Sequence, residues 1–159
     1  MRDKARKERG WLFLAIVLTI LLYGVWIGGE ILYFNWALAK YDWAQHDGGF
    51  TSQLKLRIIC HKIISHWTGN HHDAFITLDN VGNSDSIPYL INALKWHEPA
   101  DGIDVAACTT DHCVDCLKKL TGLDFGYSHK DWLEWWQNQG VKMSREELDA
   151  LAVQPEKKE

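Results

Sequence analysis

The feature that most constrains the folding of this 159-residue chain is an uncharged apolar stretch near its N-terminus. Residues 11–29, WLFLAIVLTILLYGVWIGG, contain no Asp, Glu, Lys or Arg. In a helix these residues would extend about 28 Å, close to the thickness of the hydrocarbon core of a bilayer. A helix can lie in lipid because it satisfies its own backbone hydrogen bonds. We therefore predict a transmembrane helix over residues 11–36, in contact with the lipid bilayer.

A cleaved signal peptide is the alternative interpretation of the same stretch. Ala37-Leu38-Ala39 has the small-x-small pattern of a cleavage site. The apolar region of a signal peptide, however, runs for only about 7–15 residues. The greater length of the stretch here favours an uncleaved anchor.

The charges on either side of the apolar stretch predict its orientation. Residues 1–10 carry five basic residues, whereas Lys40 is the only basic residue between the stretch and Lys55. The positive-inside rule then makes residues 1–10 a basic cytoplasmic tail. Residues 40–159 are predicted to be extracytoplasmic, in the periplasm, on a single-pass protein of the cell membrane.

Aromatic residues and glycines in the apolar stretch predict how it contacts its surroundings. Gly24 and Gly28 have the GxxxG spacing that lets two membrane helices approach closely. Aromatic rings are favoured at the membrane surface. Four such residues are predicted to lie at the membrane interfaces: Trp11, Trp26, Tyr33 and Trp36.

The rest of the chain has the apolar spacing of helices. Residues 40–50 are polar and glycine-bearing, and residues 37–50 are predicted to be a juxtamembrane linker. No later segment alternates with period two, so the predicted fold class is all-α, with a helical domain at 51–140 and a short helix and disordered tail at 141–159. The first helix of this domain has one apolar face: Leu56, Ile59, Cys60, Ile63 and Trp67. Further helices are predicted at 70–82, 86–97, 109–122, 128–140 and 144–151.

Three segments of the helical part resemble a known family. They are NSDSIPYLINALK at 83–95, CLKKLTGLDFGY at 116–127 and WLEWWQNQG at 132–140. Together they resemble bacterial HEAT-like repeat proteins, in which antiparallel helix pairs stack side by side. The resemblance covers roughly residues 70–140 and implies a short array, with pairs at 52–82 and 85–122 and a tryptophan-rich terminal helix. The resemblance is informative for the fold rather than for the function.

The segment CTTDHCVDCLKK, residues 108–119, allows three interpretations. On a helix, Cys113 and Cys116 join Leu117 and Leu120 in an apolar stripe, so core packing is the first. In an oxidising compartment, a disulfide is the second. Four cysteines could take part in it: Cys60, Cys108, Cys113 and Cys116.

A metal site is the third interpretation of this segment. Its candidate ligands are Cys108, His112, Cys113 and Cys116, the residue types that zinc prefers. His112 and Cys113 are adjacent, however, and point in different directions on a helix. Five histidines near helix ends allow a surface metal site: His61, His66, His71, His72 and His97. Because neither pattern has the spacing of a known metal motif, we predict no metal and no cofactor.

The charge of the chain and the motifs that it lacks limit the classes of function that it could have. Residues 40–159 carry 12 Lys and Arg against 18 Asp and Glu, a net charge of −6 that disfavours binding to nucleic acid. The sequence contains no nucleophile elbow, phosphate loop, zinc-protease or dinucleotide motif. We predict a non-enzymatic, membrane-anchored protein-interaction module that serves as a scaffold or an accessory subunit of a membrane complex. The alternative hypothesis is a Cys/His metal-binding or redox-active module.

Overall fold

The computed structural model describes residues 2–67, 69–97 and 107–151. Within this part of the chain all regular structure is helical and no strand occurs, which confirms the all-α class. The α-helices are α1 (Arg2–Tyr41), α2 (Ala44–Asp47), α3 (Phe50–Ile64), α4 (His71–Val81), α5 (Ile87–Leu94), α6 (Ala107–Thr121), α7 (His129–Asn138) and α8 (Arg145–Leu151). Short 3-10 turns lie at Ser84–Ser86 and Gly140–Lys142. The predicted tail at 152–159 is outside the described residues.

The chain divides into two compact units, residues 1–33 and 34–159. The first unit is helical from Arg2, within the predicted tail. Helix α1 is long and apolar enough over Trp11–Tyr41 to cross a membrane. Within the first unit Trp11 and Trp26 are exposed, and open space adjoins both Gly24 and Gly28.

The second unit begins at Phe34, inside the predicted membrane helix, and includes the predicted linker, where the structure differs from the prediction. Residues 37–50 are mostly helical, because α1 continues to Tyr41 and α2 follows. Ala37, Leu38 and Ala44 are buried in the core of the second unit. In the sequence these apolar residues do not form a recognisable stripe, because polar residues lie among them. The segment is therefore part of the domain.

Two helical hairpins build the centre of the second unit, and contacts along them define their directions. In the first, a short connection leads from the end of α3 at Ile64 to the start of α4 at His71, and the Arg57 guanidinium in the middle of α3 donates to the Val81 carbonyl at the end of α4 (3.0 Å). In the second, the Thr110 hydroxyl near the start of α6 donates to the His97 carbonyl just beyond α5 (2.9 Å). The helices of each hairpin are therefore antiparallel.

The two hairpins stack with α4 parallel to α6. The first turns of these helices are close, since the distance from Cys108 Sγ to His72 Nε2 is 3.4 Å. Their last turns are joined by an ion pair between Lys119 and Asp79 (3.1 Å). Helix α3 likewise contacts α5. The first helices of the two hairpins, α3 and α5, are therefore neighbours, and so are the second helices, α4 and α6.

The apolar stripes of the sequence form the core of this stack. The predicted stripes of α3, α4 and α5 are buried: Leu56, Ile59, Cys60, Ile63, Ala74, Leu78, Val81, Ile87, Leu90, Ile91 and Leu94. Trp67 is the exception, with 74% of its surface exposed. We placed it on the face of a longer helix, but α3 ends at Ile64 and the chain turns away before residue 67.

Helix α7 closes the stack with aromatic side chains. Its start is capped by Ser128, whose hydroxyl accepts from the backbone N–H of Asp131. Trp132 is fully buried, and its indole N–H donates to the Gly126 carbonyl (2.9 Å). The Phe125 ring packs edge-to-face on it with centroids 4.9 Å apart. Burial of an aromatic ring of this size is a major source of stability for a small domain.

We expect Trp132→Ala to lower the free energy of unfolding by about 3–5 kcal/mol, because it leaves a large cavity and an unpaired carbonyl. The matched control is Trp67→Ala, which removes an exposed ring and should change stability by less than about 0.5 kcal/mol. Maleimide labelling of the buried cysteines at increasing urea concentration measures unfolding in the detergent-solubilised chain. Equal urea midpoints for the two variants would contradict the assignment of Trp132 to the core.

Candidate functional site

The parallel packing of α4 and α6 brings three metal-ligating side chains together at the first turns of these helices. We call His72, Cys108 and His112 the His–Cys–His cluster. The distance from Cys108 Sγ is 3.4 Å to His72 Nε2 and 3.7 Å to His112 Nε2. All three ligand atoms lie within 4.8 Å of one another. The two imidazole rings are nearly perpendicular, with centroids 5.1 Å apart.

The cluster depends on where α6 begins. We predict this helix over residues 109–122, which would leave Cys108 outside it. The structure starts α6 at Ala107, so Cys108 and His112 lie at positions i and i+4 on one face. His72 lies in the first turn of α4, which is capped by the side chain of Asn70.

A carboxylate orients the ring of His72. Its Nδ1 is 3.1 Å from Asp73 Oδ1, and the Asn70 side chain donates to the same carboxylate (2.6 Å). These two hydrogen bonds, with His72 first, lower the pKa of Asp73 below its usual value. Because an ionised carboxylate only accepts, Nδ1 of His72 is the donor of this pair, and Nε2 is the ring nitrogen that lies next to Cys108 Sγ.

The His–Cys–His cluster differs from the set of candidate metal ligands that the sequence suggests. Cys113 and Cys116 are fully buried in the core and face away from it. Cys108 and His112 belong to the cluster, and His72 replaces the two buried cysteines. The signal in the sequence was the Cys-x3-His spacing at 108–112 together with the His71-His72 pair. Nothing in the sequence alone placed those two segments side by side.

The buried cysteines lie in an apolar environment that suppresses their chemistry. All four cysteines are free thiols in the structure, which contains no disulfide among them. Burial, with a smaller contribution from Asp79, raises the pKa of Cys116 to about 12. Burial also raises the pKa values of Cys60 and Cys113 far above the usual range. Because the thiolate is the reactive form, these three side chains are suited to packing rather than to redox chemistry.

A second surface feature lies on the side of the first helices. It is an open groove of about 490 Å³, which we call the α3 groove. Its apolar residues include Leu54, Ile58, Pro88, Tyr89 and Trp136, and its polar residues include Arg57, His61, Asp85 and Arg145. The Arg145 guanidinium donates to the Asp85 carboxylate across the groove.

The exposed face of α3 continues this groove. Phe50 is 76% exposed, Ile58 is 49% exposed and Leu54 is also exposed. Lys55 and Lys62 are exposed on the same helix, which contains no acidic residue. The face is therefore apolar and basic on a domain whose overall charge is negative.

His61 lies in the wall of the groove and serves a structural purpose. Its ring stacks on Tyr89 with centroids 4.1 Å apart, and its Nε2 is 2.9 Å from Ser86 Oγ. Burial, and then the positive charge of Arg57, lowers the pKa of His61 to about 4. The Ser86 hydroxyl also accepts from the backbone N–H of Asn83 in a capping box, which commits it to the turn before α5.

Comparison with known proteins gives no relative from which a function can be transferred. No family model matches the chain, and neither a curated protein nor a solved structure matches it. The resemblance to HEAT-like repeats stays a prediction, and function must be argued from the surfaces of this molecule.

The environments of the four cysteines predict that only one thiol reacts rapidly with a modifying reagent. Cys108 is exposed, whereas Cys60, Cys113 and Cys116 are buried. We expect Ellman's reagent to modify one thiol per native chain rapidly and the other three only after denaturation. Cys108→Ser should remove the fast phase, and Cys113→Ala should leave it intact. Two or more fast thiols in the native chain would contradict the buried assignment.

The low pKa of His61 predicts that acid destabilises the domain. An unfolded histidine with a pKa of 6.5 binds more protons than folded His61, whose pKa is about 4. Stability is therefore complete above about pH 6.5 and falls as the pH drops toward 4. We expect a lower urea midpoint at pH 5 than at pH 7.5, with a smaller difference in His61→Gln. His46→Gln, at an exposed site on α2, should keep the wild-type difference. A pH dependence unchanged in His61→Gln would assign the effect to other groups.

Proposed function

We propose that this protein is a non-enzymatic, single-pass membrane protein whose helical domain binds a protein partner as a scaffold or as an accessory subunit of a membrane complex. The observation that carries the proposal is the exposed apolar face of α3, formed by Phe50, Leu54 and Ile58 beside the α3 groove. Isolated exposed apolar residues are ordinary, but a contiguous apolar surface that leads into a groove is typical of interaction sites.

The charge of the α3 face defines the chemistry of the partner. Lys55 and Lys62 flank the apolar residues, and α3 has no acidic residue to neutralise them. Complementary charge guides specific association and selects between partners. The partner is therefore a protein segment that combines apolar and acidic side chains, such as an amphipathic helix laid along the groove.

The location of the complex follows from the anchor. Helix α1 is suited to cross a membrane, and the basic residues in its first turns favour a cytoplasmic N-terminus. The domain is then extracytoplasmic, in the periplasm, and its partner is membrane-associated. Stacked helical hairpins are the unit of HEAT-like arrays, so the parallel arrangement of α4 and α6 supports the family resemblance.

Site-specific photocrosslinking tests this proposal in native membranes. We expect benzoylphenylalanine at Ile58 to crosslink one defined membrane protein. The matched control is the same probe at Val141, which is exposed on the 3-10 turn after α7 and should give no such product. Crosslinks only to lipid would show that this face lies on the bilayer and would overturn the protein-partner proposal. Crosslinks of equal yield at Val141 would overturn it as well.

Binding of the purified crosslinked partner then measures the contribution of the face. We expect the double variant Leu54→Glu/Ile58→Glu to weaken binding at least tenfold, or about 1.4 kcal/mol, because it places charge in an apolar contact. Val141→Glu should bind like wild type. Lys55→Glu/Lys62→Glu should weaken binding more at low salt than at high salt. Unchanged affinity in the Leu54/Ile58 variant would exclude this face as the interface.

A further inference from the structure

We propose that the His–Cys–His cluster binds a single zinc-class divalent transition-metal ion through His72 Nε2, Cys108 Sγ and His112 Nε2. This inference is independent of the proposed protein partner, because the cluster lies on α4 and α6 whereas the interaction face lies on α3. It also replaces our expectation from the sequence that the chain has no metal site.

The two sulfur-to-nitrogen distances of the cluster match those of a tetrahedral zinc site. Bond lengths of about 2.3 Å to sulfur and about 2.0–2.1 Å to nitrogen give sulfur-to-nitrogen edges of about 3.5 Å. The observed distances from Cys108 Sγ are 3.4 Å to His72 Nε2 and 3.7 Å to His112 Nε2. An ion placed between the three atoms needs only small side-chain rotations, because both histidines are partly exposed and Cys108 is exposed.

The donor set selects the class of metal. One thiolate and two imidazoles suit a borderline-soft ion such as Zn²⁺ and give no oxygen ligand of the kind that Ca²⁺ and Mg²⁺ require. Three protein ligands leave one tetrahedral position for water or for a group from another molecule. Cys108 itself is exposed among the residues that the structure describes.

A second layer of contacts prepares His72 for coordination. The Asp73 carboxylate accepts from His72 Nδ1, and Nε2 is the ring nitrogen that lies next to the sulfur. Asn70 holds that carboxylate and also caps α4. Zinc-binding histidines in proteins are commonly supported by a carboxylate in this manner. The orientation of His72 is therefore fixed by the same residues that start its helix.

Metal titration of the full-length, detergent-solubilised protein tests the site. After chelator treatment, we expect one Zn²⁺ per chain in competition with a chromophoric chelator. His72→Ala, Cys108→Ser and His112→Ala should each weaken zinc binding by more than Asp73→Asn, for which we expect about a tenfold loss. His46→Ala removes an exposed histidine far from the cluster and should bind zinc like wild type.

Cobalt gives a readout that reports the ligands themselves. Co²⁺ should produce a thiolate-to-metal charge-transfer band together with the visible bands of a tetrahedral ion. Cys108→Ser should lose the charge-transfer band, whereas Cys113→Ala, at a buried site, should keep it. Near-ultraviolet circular dichroism shows that each variant remains folded. The three substituted ligands are partly or fully exposed, so their loss should leave that spectrum unchanged.

Two results would overturn the proposal. One is the absence of stoichiometric zinc binding in the folded wild-type chain. The other is zinc binding that survives in the triple variant His72→Ala/Cys108→Ser/His112→Ala. Added zinc should also raise the unfolding temperature of the wild-type chain and leave that of Cys108→Ser unchanged, because an ion that binds only the folded state stabilises it. Equal thermal shifts in both proteins would likewise count against the site.

Discussion

The parallel packing of α4 against α6 is the contact on which the rest of the second unit depends. It joins two antiparallel hairpins whose apolar stripes would otherwise face water. Leu78 and Leu117 are among the fully buried residues of these helices. The ion pair between Lys119 and Asp79 is exposed and adds little to stability. The free energy of stacking therefore comes from apolar burial, and the polar contacts fix its register.

The register between α4 and α6 is set by packing between distant segments. This explains why the helices were predicted well from the sequence, whereas the His–Cys–His cluster was predicted only in part. Periodicity within a helix is a local property, so the stripes of α3, α4 and α5 could be read directly. The start of α6 could not, because its first turn has no apolar stripe to mark it. The difference of two residues between the predicted and the observed start places Cys108 on a helix face that it shares with His112, and not in a loop.

His72 shows the other limit of sequence reasoning. Its position at the start of α4 was predictable from Asn70 and the following apolar residues. Its neighbour across 36 residues was not, because only the packing of two stripes decides which turn of α6 adjoins which turn of α4. The predicted linker failed for a similar reason. Ala37, Leu38 and Ala44 are recognisable as core residues only when the surface that buries them is known.

The two candidate functional surfaces lie on different layers of the stacked hairpins. The α3 groove lies on the layer of first helices, and the His–Cys–His cluster lies on the layer of second helices. An ion in the cluster would link α4 to α6 across the joint between hairpins, at the end opposite to the ion pair of Lys119 and Asp79. A short array has few such joints, so a metal at one of them would contribute proportionately more than in a long solenoid. A metal bound by the cluster would therefore also stabilise the contact between the two hairpins, at the position where a small stack gains most from it.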